Sequence, residues 1–178
     1  SGFTFAAWVK PLAGGVLLSA EGSTSSATAA DNSGIVVGLD DGDYPVVYIS
    51  VRDGSTVDGV SSTGGFAVDW AVWNHVAVTF DSGTVTFYHN GHVTSSETIA
   101  ASTPSFVGGS NNHGTYLFGK QTHKNDATAS GHDFFKGSMA QFGFGAATVD
   151  AKGIASLARG LNPGHVTETV FHGEILSG

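Results

Sequence analysis

The segment Trp73–Val93, WNHVAVTFDSGTVTFYHNGHV, constrains the fold more than any other part of the chain. Apolar and polar residues alternate through it with period two, which predicts strands rather than helix. Asp81-Ser82-Gly83 reads as a first turn. Asn90-Gly91 reads as a second, because both residues tolerate the positive φ of a type I′ hairpin turn. In the first run Asn74, Val76, Val78 and Phe80 share one face, while Trp73, His75, Ala77 and Thr79 share the other. Both faces are partly apolar. Such a strand belongs in the middle of a sandwich sheet, with its second face expected to stay partly open to solvent.

The rest of the chain continues this theme. Only 12% of the 178 residues are charged, roughly half the usual share. Glycine and small polar or β-branched residues fill the gap, which favours an all-β domain with many short strands. Further strands are expected at FTFAAWVK (residues 3–10, ended by Pro11), GVLLSAEG (15–22), GIVVGLD (34–40), YPVVYISVRDG (44–54), TYLFGK (115–120) and FFKGSMAQFGFGA (134–146). The DGD at 41–43 reads as the hairpin turn between two of them. One helix is expected near residues 150–159: Asp150 is a good N-cap, Ile154, Leu157 and Ala158 make an apolar face, and Gly160 is a stop. The tail, GHVTETVFHGEILSG, alternates again and is a candidate last strand. No internal repeat or linker divides the chain, so residues 1–178 are expected to form a single domain.

A net charge of −8 argues against nucleic acid or an anionic membrane as a partner. The absence of cysteine excludes disulfides and thiolate sites. No apolar run approaches the roughly 18 residues that a membrane helix needs, so no membrane insertion is expected. Ser1 in place of an initiator Met points to processing or excision from a larger protein, and the Ser/Thr/Gly/Asn richness points to an extracellular or cell-surface setting.

Four pieces in order resemble a laminin-G-like jelly roll of the concanavalin A-like superfamily. FTFAAWVKP is similar to that family's aromatic-rich opening strand. Trp73, His75, Val76, Ala77, Asp81, Asn90 and Gly91 match its most recognisable hairpin. FFKGSMAQFGFG resembles its late strand, and Asp150 to Leu157 the short helix after it. The resemblance implies a two-sheet antiparallel β-sandwich. It departs at Ala140 and Gln141, which stand where the family commonly has an acidic pair. It departs again at the start, where one or two strands usually precede the one beginning at Phe3. The tail is one candidate to fill that lane, and a neighbour's sheet completed by it would mean self-association through an edge strand.

The superfamily includes glucanases, but a retaining glycosidase needs two carboxylates about 5 Å apart. The chain has no alternating acidic motif, and Glu21, Glu97 and Glu168 are isolated. Nor is there a Gly-x-Ser-x-Gly elbow. No catalytic residue is assigned and no enzyme is expected. Calcium takes six to eight oxygen ligands, which acidic loops supply. Asn125, Asp126 and Asp133 in the loop 121–133 are the candidate ligands, with Asp40, Asp41 and Asp43 a weaker cluster. His89 and His92 flank a two-residue turn and face each other, but two ligands make a poor metal site. A neutral, hydroxyl-rich ligand such as a sugar suits uncharged sites with a few fixed polar groups and an aromatic platform. Asn111, Asn112, His113, Tyr116 and His123 supply the polar loop groups, and Trp70 is the candidate stacker.

The expectation is therefore a non-catalytic extracellular binding or adhesion module, with carbohydrate as ligand and calcium as a possible organiser of the late loops. The alternatives are a structural spacer or self-assembling surface domain, and a glycan-active enzyme.

Overall fold

The computed structural model describes residues 2–23, 34–40, 47–53, 56–61, 68–100, 113–118 and 134–160. Its strands, in chain order, are β1 (Gly2–Ala13), β2 (Gly15–Ser23), β3 (Gly34–Leu39), β4 (Val47–Asp53), β5 (Thr56–Ser61), β6 (Asn74–Asp81), β7 (Thr84–His89), β8 (His92–Thr98), β9 (His113–Phe118) and β10 (Lys136–Gly145). One helix, α1 (Ala151–Ala158), follows. The strands form two five-stranded sheets, β10-β1-β6-β7-β8 and β5-β4-β3-β2-β9. The sandwich of antiparallel strands with one short helix is the architecture expected from the alternation and from the family resemblance.

Alternation decides which side chains meet between the sheets. From β1, Phe3, Phe5, Ala7 and Val9 point inward, where Val76, Val78 and Phe80 of β6 and Ile35, Val37 and Leu39 of β3 join them in one cluster. Phe3 and Phe80 stack with ring centroids 5.3 Å apart. The two predicted turns of the meander hold: Ser82 and Gly83 have φ of 51° and 90°, and Asn90 and Gly91 of 49° and 85°. Left-handed backbone at both central positions is the type I′ signature, whose twist matches that of the flanking strands.

The strand carrying the best alternation is central, but its second face is not partly open. His75, Ala77 and Thr79 are all buried and Trp73 is half-buried. The cause is a long-range contact: Ile154 of α1 packs with Ala6, Ala77 and Tyr88 on the outer face of the first sheet. Gly91 lies under the same helix, where an added Cβ would sit 3.0 Å from the Ala158 Cβ. Asp150 caps α1 as predicted, accepting a 2.8 Å hydrogen bond from the Gly153 amide. Asp150→Ala is expected to cost about 1 kcal/mol, read as a lower urea midpoint with an unchanged slope. The predicted apolar face of α1 is only half realised, since Ile154 is buried and Leu157 remains 48% exposed.

Two local expectations are corrected. Pro11 does not end the first strand, which runs on to Ala13. Beyond Val9 the strand has lost β6 as a neighbour and pairs only with β10, Pro11 lying opposite Gly137. A proline is tolerated where one side of the strand has no ladder to complete. The late strand is also not regular. Between Ala6↔Gly143 and Trp8↔Ala140 the register shifts, so that Gln141 and Phe142 oppose Ala7 alone. Gln141 takes φ of 48° there. This β-bulge falls where the sequence departs from the family's acidic pair, and it turns the Gln141 side chain out to solvent.

Candidate functional site

Among the described residues, a cavity of about 720 Å³ opens between β10 and α1 on the outer face of the first sheet. The pairing Trp8↔His75, Ala6↔Ala77 and Thr4↔Thr79 sets its floor, because paired residues of neighbouring strands point the same way. Thr4, Ala6 and His75 line that floor, Phe142 and Gly143 of the bulged strand form one wall, and Leu157 of α1 forms the other. The half-exposed Leu157 is thus the helix's contribution to the cavity rather than to the core.

Most polar groups in the wall are already spent. The Thr4 hydroxyl donates to the Ala147 carbonyl at 2.7 Å and accepts from the Val149 amide at 2.9 Å. The Ser156 hydroxyl donates to the Lys152 carbonyl at 2.9 Å. His75 is different. It is only 2% exposed, and its Nδ1 has no hydrogen-bond partner. Its ring stands edge-on to Trp8 with centroids 5.5 Å apart, and the Trp8 Nε1 is likewise buried and unpartnered. Burial, with a smaller contribution from His89, lowers the His75 pKa to about 4. The ring is therefore neutral at pH 7, with one nitrogen able to donate and the other to accept.

Behind His75 a second network fixes the segment that carries Trp70. The Asn74 amide nitrogen donates to the carbonyls of Asp69 and Val72, both at 2.9 Å. That orients the amide, so Oδ1 is the acceptor, and it takes the Asp69 amide at 3.2 Å. His89 Nε2 lies 2.9 Å from the same Oδ1 and must carry the proton that it donates. Asn90 Nδ2 is 3.1 Å from that nitrogen but cannot donate to it in this tautomer. Burial lowers the His89 pKa, partly offset by Asp69. The His89–His92 pair faces across its turn as predicted, but the ring of His89 is engaged with Asn74. Among the described residues no group of three or more His, Cys, Asp or Glu side chains could hold a metal ion.

The residues predicted for binding are placed unevenly. Trp70 is half-buried in the turn before β6, tied to the end of β1 by a 2.8 Å bond from the Ala71 amide to the Pro11 carbonyl. His113 opens β9 opposite Ser23, and Tyr116 lies opposite Ala20. β1 passes into β2 at Gly14, so Trp70 lies near the start of β2 and His113 at its far end. Ser23 is eight positions along the strand from Gly15, a span of about 26 Å, so Trp70 and His113 do not share one small site. Asn111, Asn112, His123, Asn125, Asp126 and Asp133 lie outside the described residues, as do Asp41, Asp43 and the tail from residue 161. Sequence reading had placed His75 on a face with Ala77 but gave no sign that it lines a cavity. Only the position of α1 makes it so.

With the sandwich and its outer cavity in place, the class of the chain is settled by comparison. Residues 1–151 match a laminin-G family model of the concanavalin A-like lectin/glucanases superfamily, and the chain belongs to that family. No curated protein matches it. Among solved structures it is similar to the native heptameric SAP-like pentraxin from Limulus polyphemus, with a TM-score of 0.65, 14% identity, and coverage of 91% of this chain and 72% of that one. It is also similar to the CBM40 of the Ruminococcus gnavus IT-sialidase bound to α2,3-sialyllactose, with a TM-score of 0.63 and 16% identity over 88% of this chain and 82% of that one. Domain 4 of AbnA, an extracellular arabinanase from Geobacillus stearothermophilus in complex with arabinotriose, gives a TM-score of 0.55 and 17% identity over 88% of this chain and 66% of that one. At these identities the likeness is one of fold.

Proposed function

We propose that this domain is a non-catalytic carbohydrate-binding module that works outside the cell. The observation that carries the reading is membership of the lectin/glucanase superfamily across residues 1–151. Two of its structural neighbours, the sialidase CBM40 and AbnA domain 4, are named with a bound oligosaccharide. The non-catalytic part is supported by Ala140 and Gln141 at the bulge, and by a cavity whose lining contains no carboxylate. A glycosidase needs two. The polar segments 110–112 and 121–133 precede and follow β9 in the chain and hold the amides and acids suited to sugar hydroxyls.

Glycan-array screening followed by calorimetric titration tests this. A sugar hit is expected to weaken about tenfold or more in Asn112→Ala or Asp126→Ala. Absence of any hit, or a hit indifferent to both loop variants, would remove the reading. The same titration after chelation reads the calcium expected at Asn125, Asp126 and Asp133: lost binding that calcium restores supports it, and unchanged binding removes the metal.

A further inference from the structure

The cavity under α1 does not look like a sugar site. A sugar carries a hydroxyl on nearly every ring carbon, and each one buried without a partner costs free energy. Here Thr4 and Ser156 have spent their hydroxyls on backbone partners, and apart from His75 and the exposed Gln141 the wall is apolar or glycine, Ala6, Phe142, Gly143, Val149 and Leu157 among it. No Asp, Glu, Lys or Arg lines it. A charged ligand would lose its hydration there with nothing in return. The volume, about 720 Å³, falls within the range of small-molecule pockets.

Apart from the exposed Gln141 amide, which also lines the cavity, one buried polar group in the wall is unspent. The His75 imidazole, 98% out of solvent on its 2% exposure, lines the cavity and has an Nδ1 with no partner. A buried ring nitrogen without a hydrogen bond is uncommon in folded proteins and asks for an explanation. We propose that this cavity binds a small, uncharged, mostly apolar molecule bearing one hydroxyl, with the His75 imidazole as its polar contact. The proposal does not depend on the carbohydrate reading.

Gly143 supplies a clean plug. Its φ lies outside the left-handed region, and a Cβ added there meets no atom within 4 Å. Gly143 lies opposite the floor residue Ala6, so a side chain at 143 projects over the same face as Ala6. Gly143→Leu therefore fills the cavity without strain and leaves the fold intact.

The test is an NMR titration of the intact chain with p-cresol, toluene and methyl β-glucopyranoside. p-Cresol is expected to shift the Ala6, Gly143 and His75 signals and to bind about tenfold more tightly than toluene, the worth of one hydrogen bond. His75→Phe keeps the ring volume and is expected to bring the two affinities together. Gly143→Leu is expected to bind neither while giving a wild-type spectrum elsewhere. The proposal fails if p-cresol leaves those three signals unmoved at millimolar concentration. It fails equally if His75→Phe keeps the tenfold preference, if Gly143→Leu still binds, or if the glucoside shifts those signals in place of p-cresol.

Discussion

Asn74→Ala is expected to cost the domain about 3 kcal/mol, read as a fall in the urea midpoint at pH 7.5. The side chain is 1% exposed and serves four partners at once. Its amide nitrogen holds the Asp69 and Val72 carbonyls, and its oxygen holds the Asp69 amide and the His89 ring. Truncation leaves these groups short of a partner, and each that stays away from water costs about 1 kcal/mol or more. Some of the loss is recovered because Asp69 and Val72 are themselves exposed. Asn74→Asp tests the cause. The carboxylate has the right shape but would face two carbonyl oxygens with no proton to give, so it is not expected to rescue at pH 7.5. A fully stable Asn74→Asp protein would mean that shape, not hydrogen bonding, holds the turn. The same variants should loosen Trp70, since the Asn74 bonds and the Ala71–Pro11 bond are what tie its turn to the sheet.

The parts of this fold that were legible in the sequence are those whose causes are local. Asn90-Gly91 predicts its own turn because the backbone angle it needs is written in two adjacent residues. The alternation in β1 and β6 places Phe3, Phe5, Val76 and Val78 on the core face for the same reason. What alternation cannot say is what covers the other face. His75 and Thr79 look like solvent-facing positions, yet both are buried, because a helix some 75 residues later in the chain comes back to that face. Pro11 misled in a related way. A proline breaks a strand only where the missing N–H is needed, and that depends on which neighbours are present.

The bulge at Gln141 was visible only as a departure from the family pattern. A side chain with φ of 48° in a strand is an unusual conformation for a residue that is neither Gly nor Asn. The register shift explains it: two residues must fit opposite Ala7, and one of them turns outward. The cavity follows from this shift together with α1, two long-range events that no window of sequence contains. Of the predicted binding residues, the structure separates Trp70 from His113 by the length of a strand. A platform of Trp70 with His113 was consistent with composition but not with topology.

His75 also makes the domain sensitive to mild acid, and this is the second large effect expected. In the unfolded chain the ring takes up a proton near pH 6.5, whereas in the folded domain burial, and to a lesser degree His89, lowers its pKa to about 4. Between these values the unfolded state binds the proton and the folded state does not, so protonation favours unfolding. Its contribution to stability is therefore complete above about pH 6.5 and declines as the pH falls towards 4, by about 3 kcal/mol in all. His89, also lowered by burial against the pull of Asp69, acts in the same direction. Urea melts at pH 7.5, 6, 5 and 4.5 read the slope, most of it above the range where carboxylates titrate. His75→Phe separates this residue from the others: it keeps an aromatic ring against Trp8, removes the unpartnered nitrogen and cannot titrate. Its stability at pH 7.5 is expected to equal or exceed that of the wild type, and its loss between pH 6.5 and 5 to be smaller by about 2 kcal/mol. Parallel pH profiles for the two proteins would show that the His75 ring reaches a proton without unfolding. A ring open to the cavity in that way would be a hydrogen-bonding wall group wetted by water, and the preference for a hydroxyl-bearing apolar ligand would shrink with it.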